Sequence, residues 1–284
     1  MLKLSIITIN RNNSEGLLKT IESVVSQTYS DYEYIIIDGG STDGSVKVIK
    51  QYHEKISYWV SESDTGIYNA MNKGILKATG EYCLFLNSGD TLCENNVLHK
   101  ILNNDYNEDI LIGNIYLTYK DKKVPHHIGI HTTDINDNSI CSIDLIFDSL
   151  PHQASFIKRN LFEKYGLYDE SLKIVSDWKF TLYTIVFKNV TTRCFRNIFV
   201  TNFDMSGMSL NSNGLLSKEF QGVLNEFFPK KVLEDYNNYV FYRYEIRKYW
   251  LSRKIYTLLY HLVLLYERIF VHSKRFSIDV KKND

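Results

Sequence analysis

The chain opens with a short apolar run, "KLSIITI" (3–9), dominated by β-branched residues and followed at once by polar ones. That pattern predicts a buried strand. "SEGLLKTIESVVSQ" (14–27) then sets Leu17, Leu18, Ile21, Val24 and Val25 at helical spacing, with Asn13 or Ser14 able to cap its start. The alternation repeats. Strands are predicted at "YEYIIID" (32–38), "SYWVSE" (57–62) and from Tyr82 to Leu86; helices are predicted in "DGSVKVIKQYHEKI" (43–56) and "GIYNAMNKGILKATG" (66–80), the latter stopped by Gly80. A βαβαβαβ order implies an α/β fold with a Rossmann-like, mostly parallel central sheet flanked by helices on both faces.

The polar residues after the strands carry more information than the elements. Thr8 and Asn10 close the first strand, Asp38 with Gly39 and Gly40 the second, Glu62 to Asp64 the third, and "NSGD" (Asn87 to Asp90) the fourth. Ligands of open parallel sheets bind beyond the carboxyl ends of the strands. Loops are polar in any case, but that does not account for a carboxylate at or just past three of the four ends. An ordinary turn remains the competing reading at each place, because Asp-Gly is a common turn dipeptide and Ser88 or Asp90 can cap a helix.

Farther along the pattern loosens. Residues 109–120 read as a strand that can pair across a turn with "KKVPHHIGI" (122–130). "PHQASFIKR" (151–159) reads as a short strand, "SDWKFTLYTIVFK" (176–188) as a helix and "TTRCFRNIFVTNF" (191–203) as a strand. From about residue 215 onward the chain is helical in character and rich in aromatic residues.

Composition narrows the function. Hydrophobic residues make up 44% of the chain, enough for a sizeable core, and acids and bases balance at 33 each. Zero net charge gives no electrostatic reason to expect a nucleic-acid partner. Cys83, Cys93, Cys141 and Cys194 show no C-x-x-C spacing, which suits reduced thiols rather than a disulfide framework or a zinc site. The start of the chain lacks the flanks of a signal peptide, and no run reaches the ~18–20 apolar residues of a membrane span. The expected location is cytoplasmic. In residues 241–284 Lys and Arg outnumber Asp and Glu ten to four, interleaved with aromatic and aliphatic residues. Two readings stand level: an interfacial helix on anionic lipid at the inner face of the plasma membrane, or helices that pack on the rest of the chain or on a second copy of it.

Together "SIITINRNNSEGL", "YIIIDGGSTDGS", "SDTGIYNAMNKGILKATGEY" and "FLNSGD" resemble the successive blocks of family 2 glycosyltransferases with the GT-A fold. "PHQASFIKRNLFEKYGLYDESLKIVSDWKF" resembles their acceptor-side block, so the likeness spans roughly residues 3–205. The subtype most resembles bacterial enzymes of surface-polysaccharide synthesis. The resemblance implies a GT-A catalytic domain over 1–212, with a nucleotide-sugar half to about 105 and an acceptor half after it, and a helical extension over 213–284. It implies inverting transfer of a sugar from a nucleotide-sugar, UDP-sugar ahead of GDP-sugar, to a hydroxyl of a glycan or polyprenyl-linked acceptor. By the same resemblance Asp38 recognises the base, Gly39 lets backbone pass close to the nucleotide, and Thr8 and Asn10 line base or ribose. Asp64 flanks the diphosphate and donor sugar. Asn87 and Asp90 stand in the family's acidic cluster, which leaves Asp90 as the ligand for Mn2+ or Mg2+. Asp177 of "SDWKF" matches the general base; the competing reading is an acid favoured in a first helical turn. His152 either contacts acceptor or phosphate or is structural. The family's usual Arg is replaced by Met71, and Lys73 either supplies positive charge or is a solvated lysine. A nicotinamide oxidoreductase is disfavoured because "TINRNNSEG" lacks G-x-G-x-x-G. A catalytically inactive nucleotide- or sugar-binding relative is the remaining alternative.

Overall fold

A computed structural model describes residues 2–119, 122–128, 145, 149–205, 214–235 and 238. The chain divides into two compact units, Met1–Phe220 and Gln221–Asp284. In the second, residues 230–235 are helical. The basic, aromatic stretch 241–284 and Cys141 lie outside the described residues. Among the described residues no helix is long and apolar enough to cross a membrane.

The first unit begins with the expected alternation: β1 (Leu4–Asn10), α1 (Ser14–Val25), β2 (Tyr32–Asp38), α2 (Ser45–Gln51), β3 (Tyr58–Ser61), α3 (Ile67–Lys77) and β4 (Tyr82–Phe85). β5 (Thr91–Leu92), α4 (Val97–Leu102), β6 (Ile110–Tyr119) and β7 (Lys122–His126) follow, then β8 (Ser155–Lys158), α5 (Arg159–Tyr165), α6 (Ser176–Leu182), β9 (Thr192–Asp204) and α7 (Leu215–Phe227). One sheet runs β3-β2-β1-β4-β8-β6-β9-β5, with β7 paired to β6. β1 to β4 are mutually parallel, and β8 enters antiparallel between β4 and β6. β1, β2 and β4 are buried almost throughout, which is why they read as unbroken apolar runs instead of alternating ones. Leu17, Ile21 and Val24 of α1 pack against Leu4, Ile6, Tyr34 and Ile36 from the sheet.

Asn13, not Ser14, caps α1: its side chain accepts the Gly16 N–H at 3.1 Å. The expected strand at 151–159 is shorter. His152–Ala154 winds into a 3₁₀ turn, because the Pro151 carbonyl accepts both the Ala154 N–H (2.9 Å) and the Ser155 hydroxyl (2.8 Å). The expected helix at 176–188 turns π-helical over 183–187, where Thr184 Oγ1 donates back to the Phe180 carbonyl. Cys83, Cys93 and Cys194 are not in disulfides.

Candidate active site

Parallel register brings the strand ends together. Asn10 of β1 lies opposite Asp38 of β2, and Asp38 lies opposite Ser61 of β3. The Asp38 carboxylate is filled on both oxygens. Oδ1 accepts from Asn10 Nδ2 (2.7 Å) and Ser41 Oγ (2.6 Å); Oδ2 accepts from the Ser41 N–H (2.9 Å) and Ser61 Oγ (2.6 Å). Burial pushes its pKa up, but these donors outweigh burial and hold it below the usual range. With four donors the carboxylate has no lone pair left for a further one. Asn10 Oδ1 is buried without a hydrogen-bond partner among the described residues. Thr8 does not reach this edge. It is fully buried two residues back, its hydroxyl 3.0 Å from Tyr34 Oη.

Asp64 leans over Gly39. A Cβ at residue 39 would lie 2.3 Å from Asp64 Oδ2, so a larger residue there would push the Asp64 carboxylate aside. Asp64 Oδ1 accepts the Gly66 N–H at 3.0 Å at the start of α3. Two cations approach the same rim: the Arg11 stem passes over Gly39, and Lys173 Nζ donates to the Thr65 carbonyl at 3.4 Å. Lys73 is engaged by the loop after β3, pairing with Glu62 at 2.7 Å and donating to the Ser63 carbonyl.

Past β4, Asp90 is buried, and its Oδ1 accepts the backbone N–H of Asp204 at 2.9 Å. Gly89 sits at φ +107°, and a Cβ there would come within 3.2 Å of Asp204 Oδ2, so the Asp204 carboxylate lies beside the same turn. Burial raises the Asp90 pKa to about 7; the Asp204 charge adds to the rise, while the Asp204 N–H and His152 oppose it. Among the described residues no three His, Cys, Asp or Glu side chains converge as a complete metal cage.

The second cluster lies between α3 and α6. Asp177 Oδ1 accepts from Tyr68 Oη at 2.7 Å, and Oδ2 from His152 Nδ1 at 3.0 Å. His152 Nε2 in turn is 3.2 Å from the Asn87 amide nitrogen. The result is a continuous Asn87–His152–Asp177–Tyr68 chain that joins the end of β4 to the first turn of α6. Burial alone would raise Asp177 and lower His152. Their mutual hydrogen bond and charge attraction reverse both shifts, leaving the carboxyl low and the imidazole high, the signature of an ion pair. An imidazolium donates from both nitrogens, and turning the Asn87 amide would then present its Oδ1, buried and unpartnered as assigned, to Nε2–H. The pair is not sealed: His152 and Asp177 keep 20% and 14% of their side-chain surface exposed.

Rings of Phe85, Phe162, Tyr168 and Phe180 pack behind the cluster with centroids 4.6–6.1 Å apart. Asn72 holds the two halves in place, donating to the Tyr168 carbonyl (2.9 Å) and Glu170 (2.8 Å) and accepting the Tyr168 N–H (3.0 Å). The sequence did not single out Tyr68 or Asp204. Tyr68 could have been noticed on the buried face of α3 with Met71 and Ile75. Asp204 carried no signal beyond its place at the end of a strand.

Residues 5–166 match the family model described as Glycosyl transferase family 2. An uncharacterized glycosyltransferase of Mycobacterium tuberculosis is 32% identical over 217 residues, covering 72% of this chain and 76% of the relative. A PGL/p-HBAD biosynthesis glycosyltransferase of Mycobacterium bovis is 26% identical over 224 residues, covering 76% of this chain and 81% of the relative. Among solved structures, residues 1–349 of S. aureus TarS in complex with UDP-GlcNAc superpose with a TM-score of 0.62 at 17% identity. That match covers 78% of this chain and spans 64% of the TarS fragment. The mannosyltransferase PcManGT of Pyrobaculum calidifontis, in complex with GDP-Man and Mn2+, gives a TM-score of 0.53 at 14% identity, covering 70% of this chain and 56% of that one. At these identities the two structures speak for the fold, which is GT-A.

Proposed function

The chain belongs to glycosyl transferase family 2, and from that premise we propose that it transfers a sugar, with inversion, from a nucleotide-sugar to an acceptor hydroxyl in the assembly of a surface glycan or glycolipid. The observation that carries this reading is the placement of Asp177. It is partly exposed, ionised and held by Tyr68, His152 and the Trp178 backbone N–H, one residue removed from the β4 end through His152. With Tyr68, His152 and the Trp178 backbone N–H as donors, the carboxylate keeps one lone-pair site, which can accept the proton of an acceptor hydroxyl as that oxygen attacks the anomeric carbon. His152 and Tyr68 fix its orientation and stabilise its charge. A low pKa makes the carboxylate a weak base in the ground state, suited to taking the proton as the bond forms instead of beforehand.

The donor nucleotide lies along the rim of β1 to β4. Asp38 shapes the loop through Ser41 and Ser61, and the unpartnered Asn10 Oδ1 is the acceptor beside it for a base N–H. UDP is the favoured nucleotide and GDP the alternative. Asp64, Arg11 and Lys173 flank the diphosphate position. A divalent cation fits the turn after β4. Among the described residues no cationic side chain forms a salt bridge with the buried Asp90 carboxylate, though His152 acts on it at longer range, and Asp204 stands beside it. Hard oxygen donors suit Mn2+ or Mg2+, which take one or two carboxylates and complete their shell with phosphate and water. When bound, such a cation would neutralise charge on the departing diphosphate.

The second reading is an inactive nucleotide-sugar binder, favoured by the reduced acidic cluster at residues 87–90. Release of nucleoside diphosphate from UDP- and GDP-sugars, measured with Mn2+ and with EDTA, separates the two. The expected result is metal-dependent release, reduced ~10³-fold in Asp177→Asn with donor affinity kept. Donor binding with no turnover under any condition would favour the inactive reading.

A further inference from the structure

A cavity of about 580 Å³ opens beside Asp177 and His152. Its wall is mostly apolar, formed by Ile115, Leu150, Ile174, Trp178, Leu216 and Phe220 among others. Among the described residues of that wall, the titratable groups apart from His126 are Asp177 and His152 themselves. The size matches that of small-molecule sites, roughly 300–1,000 Å³. Ser149, Gln153 and Ser217 add polar atoms to the described wall, but a sugar unit filling the apolar part over Ile174, Trp178 and Phe220 would set hydroxyls there against aliphatic and aromatic side chains, at a cost of ~1–3 kcal/mol for each one left without a partner. A group with an apolar body and one hydroxyl-bearing end fits instead, the body on Ile174, Trp178 and Phe220 and the hydroxyl at Asp177.

Resting on the glycosyltransferase reading above, we infer that this cavity selects the acceptor, and that the acceptor carries an apolar aglycone next to its reacting hydroxyl. Aromatic and alkyl aglycones share the chemistry the wall recognises. The inference concerns the acceptor alone and makes no use of the nucleotide rim.

The test is isothermal titration of the full-length protein, without nucleotide, with methyl, phenyl and octyl β-D-glucopyranoside, the last below its micellar concentration. Phenyl or octyl glucoside should bind at least ~10-fold more tightly than methyl glucoside, which is ~1.4 kcal/mol. A preference for phenyl identifies an aryl aglycone and a preference for octyl an alkyl one; either supports the inference. Ser217 lines the cavity from an exposed position on α7, so Ser217→Trp should fill the space without disturbing the core. Ile174→Asp places a charge in the wall. In each variant that keeps the wild-type melting temperature, the preference should fall to within ~2-fold of methyl glucoside. Equal binding of all three glucosides by the wild type, or an undiminished preference in both variants, overturns the inference. UDP and GDP are titrated separately, and failure of both to bind counts against the nucleotide-sugar reading and not against the apolar cavity.

Discussion

Asp38 and Asp90 follow neighbouring parts of one sheet, and both are buried, yet their surroundings are opposite. Asp38 receives four hydrogen bonds from Asn10, Ser41 and Ser61 and is held ionised. Asp90 receives one backbone N–H, faces a second carboxylate in Asp204, and has its pKa pushed up to about 7. A carboxylate satisfied by its own protein acts as a structural node. A buried carboxylate beside another acid takes up a proton more readily, and is the place where the proposed cation would bind. Position at a strand end therefore does not by itself assign a role; the count of donors around the carboxylate does.

The sharpest way to break the comparison is Asp38→Ala. It strands four donors, from Asn10, Ser61 and the side chain and backbone of Ser41, in a buried loop, and we expect a loss of ~2–4 kcal/mol in urea unfolding. A loss under ~0.5 kcal/mol would mean that Asp38 does not organise the rim. Asp90→Asn should act in the other direction in the metal-free protein. The folded pKa of Asp90 lies above its unfolded value, so the native state binds the extra proton between about pH 4 and pH 7. Wild-type stability from this group therefore falls as pH rises through that window, and the neutral amide does not share the fall. The variant should gain ~1–3 kcal/mol over wild type at pH 8, with a smaller gain at pH 5. A gain independent of pH would show that Asp90 does not titrate there. At the small end, Lys73→Ala removes a partly exposed pair with Glu62 and should change stability by less than ~1 kcal/mol and leave nucleotide affinity unaltered. A large drop in affinity would return Lys73 to the diphosphate.

The two halves also differed in how far they could be read. β1 to β4 and the helices between them were legible because each strand is buried on both faces and each helix keeps its period. After β4 the elements shorten. α4 and α5 have too few turns to show a period, β5 is two residues long, and β8 begins only after a 3₁₀ turn set by Pro151. The insertion of β8 between β4 and β6 is a long-range pairing with no local sign. The site divides in the same way. Asp38, Asp64 and Asp90 were visible as strand-end acids, and Asp177 through its resemblance block. Tyr68 reaches Asp177 across 109 positions of sequence and Asp204 reaches Asp90 across 114. Contacts of that span leave no spacing to read. Thr8 could not be placed from sequence, because a strand-end hydroxyl and a buried one hydrogen-bonded to Tyr34 look alike there.

The central claim is that the rim holds a nucleoside diphosphate and that Asp90 provides the cation's protein ligand. Isothermal titration of UDP and GDP into wild type and Asp90→Ala, each with Mn2+ and with EDTA, tests it most directly. The account predicts binding by wild type that is at least ~10-fold tighter with Mn2+ than with EDTA, and loss of that difference in Asp90→Ala. The same Mn2+-dependent gain in both proteins, or no binding of either nucleotide by wild type, would contradict it.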